Sequence, residues 1–182
     1  MAMPDDGRVL YAVQNGTCVL RFQGPIRYTM AASFDAFLNE LLAQRAPHMI
    51  CADLSDTESI DSTGIGLLAK IAIAQRRAGH SKPLLFSSKR DINEVLCSMS
   101  LDEVFQMIEQ PPEADDLEAV APTQPSEREL RRTIFEAHLL LSELSEGNRA
   151  MFKDVVEGLA KQTHDDAAAP ANAPAPSRLT DH

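Results

Sequence analysis

Three features of this sequence predict an α/β fold: one mixed sheet of about five strands packed with helices, plus a helical extension at the C-terminus. Apolar, β-branched runs alternate with segments whose apolar residues recur at helical spacing. Asn15-Gly16 stands between the first two runs, where it signals a tight hairpin. A proline-rich acidic stretch then separates this region from a second helical period. The expected order is ββαβαβαβ, a domain of about 110 residues, followed by the extension.

The hairpin pairs "RVLYAV" (8–13) with "TCVLRF" (17–22). In "SFDAFLNELL" (33–42), Phe34, Phe37, Leu38, Leu41 and Leu42 share one helical face, with Ser33 available as N-cap. Pro47 closes that helix, and "HMICADL" reads as a buried parallel strand. The next helix starts at Asp61 or Ser62 and ends at Gly79. Its Ile65, Leu67, Leu68, Ile71 and Ile73 cover more than one narrow stripe, which suits deep packing. "KPLLFSS" is a further strand, Ile92, Val95, Leu96 and Met99 mark a further helix, and "EVFQMI" ends the series.

The domain is therefore placed at 1–110. Residues 111–125 read as an acidic, proline-rich linker: "EQPPEADDLEAVAPTQPSE" (109–127) holds four prolines and six acidic groups without a basic one. Such a composition does not offset its ordering entropy. From Ser126, Leu130, Ile134, Ala137, Leu141 and Leu144 step along one stripe, and Phe152, Val155, Val156 and Leu159 follow beyond Gly147-Asn148. Residues 126–162 thus form a helical hairpin or a bent helix. The stripe is expected to pack on the domain or on a second copy of the chain, as a homodimer. Residues 163–182 read as a disordered Ala/Pro tail.

Composition narrows the function. Hydrophobic residues are 44% and charged residues 24%, enough for a core, and no run approaches the roughly 20 apolar residues of a membrane helix. The N-terminus lacks the basic-then-apolar order of a signal peptide, so a cytoplasmic location is expected. The net charge is −10, with 10 basic and 13 acidic groups up to residue 110 and 7 and 14 beyond it. That balance disfavours nucleic acid and anionic membrane as partners. Cys18, Cys51 and Cys97 are far apart among apolar neighbours and read as reduced cysteines used as small hydrophobes. His48, His80, His138, His164 and His182 show no metal-ligand spacing and read as surface residues, so neither metal nor cofactor is expected.

"SIDSTGIGLLAKIAIA" (59–74) gathers a carboxylate and two hydroxyls before two glycines. Asp61 or Ser62 suits a helix N-cap, worth about 1 kcal/mol. No G-x-S-x-G elbow, paired D-[ST]-G turn or phosphate-binding glycine loop occurs, so no catalytic residue is assigned. A hydroxyl in the first turn of a helix also suits a phosphate of about −2 charge, which the helix N-terminus favours. Gly64 and Gly66 either let a partner come close to the turn or permit tight helix–sheet packing.

The segment "DLSDTESIDSTGIGLL" (53–68) resembles the D-S-[ST]-G-[LIV]-[GA] turn of STAS domains, and among them the bacterial anti-sigma factor antagonists. "RFQGPI" and "LLFSSKRDINEVLCSMSLDEVFQMI" resemble the family's first hairpin and its last strand, helix and strand, so the likeness spans roughly residues 8–108. It implies the STAS fold and a role as binder and substrate rather than enzyme. On this resemblance the unphosphorylated domain binds an anti-sigma factor that is also a GHKL-type serine kinase, phosphorylation releases it, and a PP2C-type phosphatase restores it. The phosphoacceptor falls on Ser62, with Thr63 as second choice, and Asp61, Ser62, Thr63, Gly64, Ile65 and Gly66 form the partner-binding turn. The family often carries an acidic residue after the "G-x-[LIV]" of its hairpin, where this chain has Arg27. The alternative is a STAS module that is never phosphorylated and serves as a scaffold subunit of a signalling or transport complex.

Overall fold

The computed structural model describes residues 7–168, apart from the side chains of Arg45 and of residues 164–168. Strand β1 (Arg8–Gln14) turns through Asn15 and Gly16, both at positive φ, into β2 (Thr17–Ile26). A short 3-10 turn (Tyr28–Met30) leads into α1 (Ala31–Glu40), which ends in one π-helical turn (Leu41–Arg45). Then come β3 (Met49–Ile60), α2 (Ser62–Arg77), β4 (Leu84–Phe86), α3 (Arg90–Ser98), α4 (Leu101–Val104) and β5 (Gln106–Met107). The chain continues through β6 (Glu118–Ala119), α5 (Glu127–Ser142) and α6 (Glu146–Ala168).

The six strands form one mixed sheet in the order β5-β4-β3-β2-β1-β6. β1 is antiparallel to both its neighbours, whereas β2, β3, β4 and β5 run parallel. The core lies between the sheet and its helices, built on Leu20, Phe22, Ile50, Leu54, Leu68, Leu85 and Leu96, all buried.

Five elements depart from the sequence expectation, most of them through a contact that local periodicity does not carry. The expected last strand "EVFQMI" is cut short: Glu103 and Val104 belong to α4, and only Gln106–Met107 pair as strand. β3 runs on to Ile60, because "SDTES" continues the ladder against the bulged end of β2, where the register shifts at Gly24/Pro25. α1 starts at Ala31 with no side-chain cap, and Ser33 serves elsewhere: its Oγ accepts the Thr123 N–H at 2.8 Å. The stretch 111–125 is stitched down rather than free. β6 pairs with β1, and Val120 N–H donates to the Val9 carbonyl at 2.9 Å, which raises the strand count from five to six. α6 runs to Ala168, past the expected boundary at 162, while the rest of the tail lies outside the described residues.

α5 opens with a capping box in which Ser126 Oγ accepts from Glu129 N–H and the Glu129 carboxylate accepts from Ser126 N–H. It packs along α2 on the side away from the sheet and also touches α1. This explains the wide apolar girth of α2: one face meets the sheet and another meets α5. The buried seam of α5 is Thr133, Ala137, His138, Leu141 and Ser142. It lies to one side of the expected stripe, whose Leu130, Ile134 and Leu144 are only half-buried.

Candidate functional site

The turn from β3 into α2 is organised by Asp61. As N-cap it accepts the Gly64 N–H on Oδ1 at 2.8 Å, and its Oδ2 accepts the Tyr28 N–H at 2.7 Å. Its own N–H donates to the Ile26 carbonyl at 3.0 Å. One carboxylate thus closes the start of α2 and pins the segment after β2 beside it.

Ser62 and Thr63 then diverge. Ser62, the first residue of α2, is half-buried at the rim, whereas Thr63 is 3% exposed and points into the core. Ile65 is fully buried, so of the six residues assigned to the partner-binding turn Asp61 and Ser62 are the half-buried ones and Thr63, Gly64, Ile65 and Gly66 are covered.

The two glycines meet different neighbours. A Cβ added at Gly64 would lie 3.0 Å from side-chain carbons of Ile26 and Ile60, so Gly64 permits close helix–sheet packing. A Cβ added at Gly66 would lie 2.3 Å from the Ala137 carbonyl oxygen, closer than any side chain tolerates. Gly66 therefore lets the backbone of α5 rest directly on α2.

The residue that sequence reasoning missed is His138. Expected at the surface, it is 6% exposed, and its ring stands against Ser62. His138 Nδ1 lies 2.8 Å from the Ile134 carbonyl, which only accepts, so Nδ1 carries the proton. In the neutral ring Nε2 is then the acceptor, and the Ser62 hydroxyl donates to it at 2.9 Å. Phe152 of α6 meets the far side of the imidazole edge-on at 5.7 Å between ring centres. The width of α2's apolar surface reads as deep packing against the sheet alone; nothing local shows that α5 covers it, because His138 is 76 residues from Ser62.

Neighbouring polar groups hold the scaffold. Lys70 Nζ donates to Asp35 Oδ1 at 2.5 Å and to Asn39 Oδ1 at 2.7 Å, tying α2 to α1. Arg21 Nε donates to the buried Asp53 at 2.8 Å across β2 and β3. Cys18 and Cys51 are buried, and burial pushes the Cys51 thiol up. Cys97, expected among apolar neighbours, is exposed on α3; desolvation first and the Asp102 carboxylate second raise its thiol. Among the described residues no three His, Cys, Asp or Glu side chains are grouped to hold a metal ion, and no helix is long and apolar enough to cross a membrane.

The STAS domain family model matches residues 8–114. Among solved structures the chain is similar to the anti-sigma factor antagonist SpoIIAA in its unphosphorylated form, with 17% identity, 57% of this chain and 89% of that one covered and a TM-score of 0.50. It is also similar to an anti-sigma factor antagonist from Mycobacterium paratuberculosis (20% identity, 60% and 92% covered, TM-score 0.48). A third is the Bacillus cell fate determinant SpoIIAA in the phosphorylated form (17% identity, 57% and 92% covered, TM-score 0.47). At 17% identity the likeness to the unphosphorylated form concerns the fold alone. No curated protein matches the chain. The matched span holds the hairpin, the Asp61 turn and every strand of the parallel run, and the chain belongs to the STAS domain family.

Proposed function

We propose that this protein is an anti-sigma factor antagonist that works by phosphorylation-controlled partner switching. The observation that carries the reading is the placing of Ser62: a hydroxyl at the first position of α2, at the rim of the fold, while Thr63 is buried beside it. Unphosphorylated, the turn binds an anti-sigma factor that is also a GHKL-type serine kinase, and this frees a sigma factor. In the switching step Ser62 Oγ forms a bond to the γ-phosphorus of ATP, the bond to the ADP oxygen breaks, and the hydroxyl proton passes to a base of the kinase. The new charge of about −2 is stabilised at the α2 N-terminus and repels an acidic or apolar docking surface. A PP2C-type phosphatase reverses the step. The chain acts in the cytoplasm as substrate and binder.

Incubation with the serine kinase encoded in the same genome and labelled ATP tests this. Label is expected on wild type and lost in Ser62→Ala; equal labelling of Ser62→Ala overturns the assignment. The bond from Ser62 to His138 favours a second reading, in which the serine is a fixed structural contact of a STAS scaffold subunit in a signalling or transport complex. In that case Ser62→Asp leaves partner binding intact.

A further inference from the structure

The helices that cover Ser62 lie outside the family match: the matched span stops at residue 114, and α5 begins at Glu127. They are not spread over the surface at large. Ala137 sits on Gly66, and His138 Nε2 accepts a hydrogen bond from the Ser62 hydroxyl. The corner between α5 and α6 is pinned separately: Asn148 Nδ2 donates to the Met99 carbonyl at 2.8 Å and to the Leu141 carbonyl at 2.9 Å, and Ser100 Oγ donates to Ser145 Oγ at 3.0 Å. The segment before them is anchored on its own by β6 on β1 and by Thr123 on Ser33. A tether fixed at that point lets α5 and α6 leave α2 without disturbing the sheet.

From this arrangement we infer that α5 and α6 form a built-in competitor for the Ser62 face, an intramolecular cover that a docking protein must displace. The inference rests on the partner-switching reading for the identity of that protein. With α5 seated, the Ser62 hydroxyl is engaged and the Gly66 side of α2 is occupied, so a kinase active site has no room beside the serine. A site that is open only a fraction of the time has its apparent affinity lowered by that fraction. Release of the cover therefore raises both binding and phosphorylation in the same proportion. The contacts suit release: Ala137, Leu141 and Phe152 reach the core, and a few side-chain hydrogen bonds join the cover to the body, with no strand ladder between them.

The full-length chain with Ala137→Glu, which sets a carboxylate in the seam against Gly66, is the test, with amide protection of β2 and β3 certifying the body's fold. Two readouts are compared with wild type. One is the rate of Ser62 labelling by the kinase with ATP. The other is kinase-independent: iodoacetamide alkylation of Ser62→Cys in a Cys97→Ser background, where the remaining Cys18 and Cys51 are buried. Both rates are expected to rise, about tenfold or more, and His138→Ala is expected to give a smaller rise. Unchanged alkylation overturns the cover. Where wild type is phosphorylated, faster alkylation of the variant with an equal or slower rate of phosphorylation also overturns it, since the helices would then belong to the partner's own docking surface. Faster alkylation with no phosphorylation of either chain sinks the partner-switching reading and supports the cover.

Discussion

The two regions that bury α2 do so by different means. On one side the sheet offers a continuous apolar floor, in which Leu20, Ile50, Leu54 and Leu85 are fully buried on strands that pair side by side. On the other side α5 offers Ala137 and Leu141, flanked by polar residues that are themselves buried: Thr133, His138 and Ser142. The floor is held by a broad apolar area tied together by ladders, and the cover by fewer apolar residues, Ala137, Leu141 and Phe152, with close approach and hydrogen bonds that water can replace once the helices move. A region of the first kind opens only with the whole fold, and one of the second kind can open alone.

Paired truncations break this comparison most severely. Leu54→Ala is expected to lower the global unfolding free energy by about 3 kcal/mol, read by denaturant titration. Leu141→Ala, equally buried, is expected to leave the β2 and β3 amides at wild-type protection while α5 and α6 exchange faster. Equal loss of protection everywhere would show one cooperative unit instead of two. A milder probe is Asn148→Ala, which removes both hydrogen bonds at the α5–α6 corner. About 1–2 kcal/mol is expected, read in α5, α6 and the end of α3 but not in β2 and β3, because the Met99 and Leu141 carbonyls lose their donor.

The smallest effect concerns the start of α5. Hydrogen bonds from Ser126, backbone first and hydroxyl second, hold the Glu129 carboxyl below its ordinary value. A group lowered in the folded state contributes stability above its unfolded pKa and loses it as the pH falls through the folded value. Acidification below the usual carboxylate range is therefore expected to fray α5 from Ser126 before the body responds. Amide resonances of residues 126–130 followed through a pH titration check this order.

Elements whose signal is local were legible. Asn15-Gly16 announced the hairpin, the apolar spacing announced α1, α2, α3 and α5, and Asp61 or Ser62 ahead of the apolar run announced an α2 cap, which the structure places on Asp61. Those that depend on a distant partner were not. The polar second half of β3 exists because β2 lies beside it, β6 is two residues that pair with β1, and Ser33 is drawn from capping by Thr123. Gly66 shows the limit within the site: a glycine inside an apolar helix announces close approach, yet only the fold shows that it is α5, not a partner or the sheet, that approaches.

The sequence by itself determined the alternation of strands and helices and a helix start at Asp61 or Ser62, because periodicity, caps and turn residues act over a few positions; the order of Ser62 before Thr63 came from the resemblance to STAS domains. Tertiary structure alone decided that Thr63 points inward, that Gly66 meets Ala137, and that His138 stands on Ser62. Those facts require chain segments far apart in sequence to be brought to hydrogen-bond distance, and only the packing of α5 across α2 does that.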